Sequence, residues 1–275
     1  MTDIRLVVLV LAPAWFAACG PGARSNGMGD DDEVDASVPG HDAPGTTEGT
    51  TFVYAHTSTK LYRVDPEMLT ITEVGDFVWS ADDDSMTDIA IDKTGAMIGI
   101  SFTSVYSIDP ATAKATRLTA GLTGDFNGLS YVPAATLGGA GDDVLVATRS
   151  RDGAVFRIDP MTGGTTQVGN MGQGFVSSGD LVSVTNFGTA QTARGVSSDR
   201  LVKLAPQTFQ ATPIGTNIGH AEIWGVAFWK DKLFGFTEDG KFVLIDPNTG
   251  VGTLVSSNGP AWWGAGVTTS APVIF

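Results

Sequence analysis

The sequence predicts an all-β protein, a five-bladed β-propeller made of four-stranded antiparallel blades. A short apolar strand followed by Asp-Pro, or by Ala-Pro in one copy, recurs five times, and the prolines lie 41 to 50 residues apart. Turn residues separate short, β-branched segments within each unit. A unit of this size is too small to bury both of its faces alone, so it predicts blades packed in a ring. The five copies are at 61–66, 105–110, 155–160, 201–206 and 243–247.

Each repeat is expected to contain four strands, and the second repeat shows this most clearly. Alternating and β-branched residues predict its strands at 88–91, 96–102, 105–108 and 115–118. The Asp-Pro pair falls between the third and fourth strands. Proline presets the backbone for a tight turn there, and the aspartate carboxylate accepts hydrogen bonds from the amides just beyond it. Gly163 and Gly250 follow in two copies, where a left-handed residue is expected.

The two ends of the domain are predicted to share one blade. Each inner strand begins with a short signature that contains small residues. The last such signature, at 263–266, is not followed by the three further strands that a blade needs. The three missing strands are predicted at the start of the domain instead, at 51–55, 60–64 and 70–74. Pairing of the last strand with the first closes the ring and removes its free edges.

Two insertions and the helical content are also predicted. The stretches 133–143 and 186–198 are rich in Gly, Ala, Ser and Thr and are predicted to be surface loops. Helical content is predicted to be very low.

The first 50 residues are expected to lie outside the propeller domain, which spans 51–275. Arg5 and the apolar run to Ala18 predict a signal peptide at 1–18, and the small residues before Cys19 resemble the lipobox of bacterial lipoproteins. That resemblance implies that Cys19 carries lipid and anchors the protein to a membrane. Residues 19–50 are rich in Gly, Asp, Ser, Thr and Pro and predict a disordered acidic spacer. We therefore expect an exported lipoprotein of the cell envelope.

Composition excludes several classes of partner. The chain has 30 acidic and 16 basic residues and a net charge of −14, which argues against nucleic acid and against anionic lipid surfaces. Cys19 is the single cysteine, so no intrachain disulfide is possible. No nucleophile elbow, phosphate-binding loop or His-Glu-Xaa-Xaa-His segment is present.

We expect a monomer that uses no cofactor and no metal.

Residues 51–275 resemble the exported β-propellers with Asp-Pro-Xaa-Thr-Gly repeats that are found as bacterial lipoproteins. The motifs that carry this resemblance are the Asp-Pro pairs, the threonines that recur after them and the glycines at 163 and 250. The resemblance implies the fold. It implies no activity and transfers no catalytic residue, because propellers host lectins, hydrolases, lyases and scaffolds.

Functional residues are expected where the chain departs from its repeat. In a propeller, the loops that enter the inner strands and the loops between second and third strands meet around the mouth of the channel. An exposed indole can cover the apolar face of a sugar while nearby acids accept hydrogen bonds from the sugar hydroxyls. Alternatively, such rings fill the junctions between blades. The predicted ligand-binding residues in these loops are His56, Trp79, Asp82, Asp125, His220, Trp224, Trp262 and Trp263.

We therefore predict a membrane-tethered binding or scaffold module whose partner is a glycan or an envelope protein. The alternative is a secreted glycan hydrolase or lyase that uses Asp88, Asp180 and Glu222 as an acid and its ionised partners. Inner-strand aspartates also bind the backbone of neighbouring blades, a structural role. A third alternative is a scaffold that makes its contacts through the two insertions.

Overall fold

A computed structural model of the protein describes residues 53–274. The predicted signal peptide, Cys19 and the predicted spacer at 19–50 lie outside the described residues. The described chain forms strands and one short 3₁₀ helix, Ala134–Leu137, and nothing helical in it has the length and hydropathy to cross a bilayer. The prediction of very low helical content is confirmed for this part of the chain.

The strands fall into five groups along the chain. The first group is β1 (Val53–His56), β2 (Lys60–Asp65) and β3 (Thr70–Asp76). The second is β4 (Val78–Trp79), β5 (Asp88–Ile91), β6 (Met97–Ile100), β7 (Val105–Ile108) and β8 (Lys114–Thr119). The third is β9 (Phe126–Val132), β10 (Val144–Arg149), β11 (Ala154–Ile158) and β12 (Thr165–Asn170). The fourth is β13 (Ser177–Val184), β14 (Gly188–Ala193), β15 (Arg200–Leu204) and β16 (Ala211–Ile214). The last is β17 (Ile223–Trp229), β18 (Lys232–Thr237), β19 (Phe242–Ile245), β20 (Gly252–Ser256) and the separate β21 (Gly264–Gly266).

These strands form five blades, which confirms the predicted five-bladed propeller. Each blade has four antiparallel strands, and blades 2 to 5 begin at the axis with β5, β9, β13 and β17. In blade 1 the innermost strand is β21, which pairs with β1 so that Ala55 faces Ala265 and His56 faces Gly264. The predicted sharing of one blade by both ends of the domain is therefore confirmed. Blade 2 carries one additional short strand, β4, parallel to β8 at its rim.

The inner strands form a closed ring. Each of β5, β9, β13, β17 and β21 contacts the next, and β21 returns to β5. At this last junction Ile91 pairs with Thr268, and the Thr268 hydroxyl donates to the carbonyl oxygen of Asp92 at 2.7 Å. The ring thus has no open edge between its first and last blades.

The hydrophobic core lies between adjacent blades. Every residue of the inner strands β5 and β13 is buried, whereas the rim strand β12 has no fully buried residue. Trp262, which is 1% exposed, packs 5.1 Å from Tyr62 of blade 1 and 5.4 Å from Phe236 of blade 5, measured between ring centroids. Burial of such rings is the main force that holds neighbouring blades together.

The Asp-Pro turns have the predicted hydrogen bonds. Asp246 accepts at Oδ1 from the amides of Asn248 and Thr249, at 2.7 and 3.0 Å. The fourth residue after the Asp position, or after Ala205 in blade 4, has a left-handed backbone in all five blades. These residues and their φ values are Leu69 (55°), Ala113 (56°), Gly163 (73°), Phe209 (55°) and Gly250 (71°).

One loop prediction was wrong. The segment 186–198 was expected to be a surface loop, but β14 runs through it as the second strand of blade 4, and residues 189–193 are buried. Its small and polar residues pair with β13 and β15, so sheet register rather than hydrophobic content fixes this strand. The segment 133–143, predicted to be a surface loop, lies between β9 and β10 and contains the 3₁₀ helix.

Candidate binding site at the channel mouth

A cavity of about 270 Å³ lies where the five inner strands begin. Every blade contributes to it the first residue of its inner-strand signature: Thr87, Asn127, Gly179, Trp224 and Trp263. The remaining lining residues lie beside these or between second and third strands: Phe102, Phe126, Ser150, Ser178 and Arg194. The two sets of loops that were predicted to meet around the channel mouth therefore do so, and we call this space the mouth cavity.

Small residues explain why these side chains surround the mouth cavity. Trp224 and Trp263 are each followed by a glycine, and those two glycines face one another across the junction of blades 5 and 1. A Cβ added to Gly225 would lie 2.6 Å from the carbonyl carbon of Gly264. The inner strands can approach this closely only without a side chain there, and the tryptophan before each glycine is left at the mouth.

Aromatic rings form the apolar wall of the mouth cavity. Trp224 and Trp263 are half-buried, and their rings are perpendicular with centroids 6.2 Å apart. Phe102 is 60% exposed although it is large and apolar. An edge-to-face pair of indoles presents a flat face to a ligand while each ring holds the other in place.

Polar groups complete the wall. The buried amide oxygen of Asn127 has no hydrogen-bond partner among residues 53–274. The Thr87 hydroxyl is already committed to the carbonyl oxygen of Ile100, at 3.0 Å. Ser150 contributes a hydroxyl and Arg194 a guanidinium, whereas the hydroxyl of Ser178 is bonded to Asp199. This mixture of flat apolar surface and a few polar groups is typical of small-molecule sites.

Asp88 and Asp180 directly follow two of the lining residues and are fully buried. The second carboxylate oxygen of Asp88 accepts from the amide of Leu129 at 2.7 Å, and that of Asp180 accepts from the amide of Val226 at 2.9 Å. Each carboxyl also accepts from the amide of the residue after it, at 2.8 and 2.6 Å. Both aspartates therefore hold the inner strand of the following blade.

The two carboxyls also interact with each other. Burial raises the pKa of both groups well above the ordinary value, and the negative charge of Asp180 raises the pKa of Asp88 further. Burial away from water disfavours the ionised form of each carboxyl, and the charge of one further disfavours ionisation of the other. The two groups therefore titrate as a coupled pair.

His56 lies beside the carboxyl pair and is fully buried. Its Nδ1 donates to the carbonyl oxygen of Thr57 at 2.8 Å, and its Nε2 lies 3.7 Å from Oδ1 of Asp88. Burial lowers the pKa of His56 to about 4, so the ring is neutral at pH 7. With no exposed surface, His56 offers nothing to a ligand at the mouth.

The carboxylates named for a hydrolase do not form an accessible site. Glu222 is exposed on the loop before β17, whereas Asp88 and Asp180 are 0% exposed. Glycoside hydrolysis requires two carboxyl groups that flank a bound sugar. The oxygens of the buried pair are occupied by backbone amides, which matches the structural role of inner-strand aspartates. In the described part of the chain, no three His, Asp or Glu side chains meet as metal ligands.

Two other predicted residues lie at the rim of blade 2. Trp79 is on β4, half-buried, with its ring 5.5 Å from that of Phe77 and 5.0 Å from that of Tyr106. Asp82 is exposed on the loop that follows. Neither lines the mouth cavity.

The remaining three predicted residues do not line the mouth cavity. Asp125 is 75% exposed and pairs with Arg151 at 3.3 Å. His220 is half-buried on the loop before β17, and burial lowers its pKa. Trp262 seals the junction of blades 5 and 1. Of the eight residues predicted to bind a ligand, the mouth cavity thus brings together Trp224 and Trp263.

Sequence reasoning missed several lining residues. Thr87 and Asn127 occupy the same signature position as Trp224 and Trp263, so alignment of the repeats was a sufficient signal for them. Arg194 follows the strand that was taken for a loop, which concealed it. The expected acids are absent from the wall: no Asp or Glu of residues 53–274 lines the mouth cavity.

Comparison with a solved structure agrees with the propeller fold. No protein-family model matches the chain, and no curated protein matches its sequence. A solved structure from work on the de novo evolutionary emergence of a symmetrical protein is 15% identical, with a TM-score of 0.50, and the match covers 82% of this chain and 100% of that one. A nidogen–laminin complex is 9% identical with a TM-score of 0.48, over 79% and 98% of the two chains. The first of these likenesses concerns the fold alone. The β-propeller fold fits a binding module or a scaffold in general, and the residues of its site determine which of the two roles it has.

Proposed function

We propose that the protein is a glycan-binding module that takes one sugar ring into the mouth cavity. The observation that carries the proposal is the perpendicular pair of Trp224 and Trp263 in a cavity to which all five blades contribute. Indoles cover the apolar face of a pyranose ring, and hydroxyl and amide groups beside them bond its hydroxyls.

The size and shape of the site favour a sugar over an envelope protein. A cavity of about 270 Å³ lies just below the usual range for ligand pockets, about 300 to 1,000 Å³, and suits a single ring. A protein partner requires a broad contact area of roughly 800 Å² on each side. A ring-sized group that enters a concave site fits the observed geometry better, and an envelope protein becomes an outcome of the test.

We also propose that the domain works at a membrane surface as an exported lipoprotein. The support is the lipobox-like segment that ends in Cys19. Replacement of Cys19 by Ser should release the protein from the membrane fraction and abolish incorporation of labelled palmitate. Retention of both properties in the Cys19→Ser protein would contradict lipidation at this residue.

Titration with glycans tests the binding proposal. A glycan array first identifies an oligosaccharide bound by the wild-type domain, and calorimetry then measures its affinity for the variants. Trp224→Ala and Trp263→Ala should each weaken binding by about tenfold, because about 60 Å² of apolar ring area covered by a sugar contributes about 1.5 kcal/mol.

The matched control is Trp79→Ala, which removes a half-buried tryptophan at the rim of blade 2 and should leave affinity unchanged. Equal affinities of all three variants and the wild type would contradict the proposal. Capture of an envelope protein that depends on Trp224, without any glycan signal, would replace the glycan by a protein partner.

A further inference from the structure

The mouth cavity contains one charged group. Of its lining residues, all from the described range, Arg194 alone carries a charge. The chain as a whole has nearly twice as many acidic as basic residues. A lone cation beside two indoles in an acidic protein is a specific chemical feature, because an acidic surface otherwise repels anionic ligands.

The guanidinium of Arg194 is free to bind a ligand. The residue is exposed, and its backbone amide donates to the carbonyl oxygen of Val176 at 3.0 Å. Within residues 53–274, no ion pair or side-chain hydrogen bond engages its guanidinium. Five N–H donors in a planar fork therefore remain available.

Three acids of this region, Asp125, Asp199 and Glu222, form no ion pair with Arg194. Burial raises the pKa of Asp199, and the charge of Arg194 acts against that rise. Asp199 is 3% exposed, and its carboxylate accepts from the amide of Ile223 at 2.8 Å. Asp125 is paired with Arg151, and Glu222 stands outside the cavity wall. Arg194 is thus the charge that a bound molecule meets.

We infer that the sugar taken by the mouth cavity is a hexuronate, whose ring packs on Trp224 and Trp263 while its carboxylate pairs with Arg194. This inference rests on the proposed glycan-binding function. A hexuronate combines an apolar ring face with a carboxylate that is ionised at neutral pH. A guanidinium binds a carboxylate through two parallel hydrogen bonds, which are stronger than bonds between neutral groups.

Matched acidic and neutral oligosaccharides test the inference. Tetramers of galacturonate, glucuronate and mannuronate are titrated by calorimetry at pH 7, each beside its carboxyl-reduced counterpart, which has the same ring stereochemistry without the charge. The wild-type domain should bind at least one acidic tetramer about tenfold or more tightly than its neutral counterpart. That preference should shrink as salt concentration rises.

Variants locate the charge that is responsible. Arg194→Gln should lower the affinity for the acidic tetramer to that for the neutral one, and Arg194→Lys should restore part of the preference as a point charge. Arg200→Gln removes an exposed arginine that does not line the mouth cavity and should change nothing.

The outcomes distinguish this inference from the function on which it rests. Equal affinity for acidic and neutral tetramers, lost in Trp224→Ala, would overturn the hexuronate and leave the glycan-binding proposal standing. An acidic preference that survives in Arg194→Gln would also overturn it. If no oligosaccharide binds in a manner that depends on Trp224 or Trp263, both proposals are wrong.

Discussion

At the residue scale, burial separates groups that hold the propeller together from groups that can meet a ligand. Asp88 and Asp180 accept four backbone amides between them, on their own strands and on the following blades. A buried N–H that loses its acceptor costs about 1 to 3 kcal/mol. The two carboxyls therefore have a structural role, because each joins its own inner strand to that of the following blade.

Removal of one carboxyl of the Asp88–Asp180 pair should lower the free energy of unfolding. Asp180→Ala leaves the amides of Leu181 and Val226 without acceptors, so the free energy of unfolding should fall by about 3 kcal/mol or more. Asp125→Ala removes an exposed aspartate and should change stability by less than about 0.5 kcal/mol. Urea denaturation measures both, and equal effects would refute the structural role of Asp180.

His56 gives stability a defined pH dependence. Its pKa is about 4 in the folded protein against an ordinary 6.5, so between these values the unfolded chain binds more protons. The contribution of neutral His56 to the free energy of unfolding is therefore fully present above pH 6.5, and it is lost as the pH falls to about 4.

The matched experiment compares the wild type with His56→Gln, because the raised pKa values of Asp88 and Asp180 act in the opposite direction in both proteins. Between pH 7 and pH 4 the wild type should lose about 3 kcal/mol more unfolding free energy than the variant. Urea titrations at a series of pH values measure this difference. Parallel pH profiles would show that His56 protonates freely in the folded state.

The sequence predicted residue positions better than residue environments. Trp224 and Trp263 were placed at the channel mouth because they open inner-strand signatures. Trp262, one position away, is buried because Tyr62 and Phe236 come from two different blades to cover it. Contacts of that kind depend on the packing of whole blades, which residue spacing does not report.

At the element scale, the turn after Asp-Pro imposes the same backbone on every blade. Its left-handed position holds glycine in two blades and Leu, Ala or Phe in three. A non-glycine residue in this conformation costs roughly 1 to 2 kcal/mol. The blades without glycine at this position carry that strain within otherwise well-bonded turns.

Exchange of glycine and alanine at this position tests the strain. Gly250→Ala adds a Cβ that meets the carbonyl of Ile214 at a φ of 71°, so stability should fall by about 2 kcal/mol. Ala113→Gly relieves strain but loses one buried methyl, so its effect should stay within about 1 kcal/mol of zero. Urea midpoints compare the two, and an equal loss in both variants would contradict the account.

Strands were predicted well where hydrophobic patterning sets them. β5 and β7 match their predicted bounds because β-branched residues run between clear turn signals. β14 escaped prediction because its residues, Gly188 to Ala193, are small or polar and are buried by their neighbours on both sides. Its strand character comes from pairing with β13 and β15, which a local pattern does not contain.

At the scale of the whole molecule, one three-residue strand closes the ring. β21 lies between β1 of its own blade and β5 of the next. Deletion of residues 264–275 should expose both neighbouring strands, lower the melting temperature sharply and cause aggregation through unpaired edges. The control lacks residues 1–50 and should melt like the full chain. Calorimetry and size-exclusion chromatography measure both, and a monomeric, equally stable truncation at residue 263 would contradict closure by β21.

The central claim is that a sugar packs on the two tryptophans at the channel mouth, and fluorine NMR of the protein labelled with 5-fluorotryptophan tests it most directly. The full sequence has six tryptophans, which single replacements assign one at a time. Titration with the oligosaccharide selected by array should shift the signals of Trp224 and Trp263 and leave those of Trp79 and Trp229 in place. Saturating ligand that leaves Trp224 and Trp263 unmoved, or that shifts Trp79 or Trp229 instead, would contradict the account.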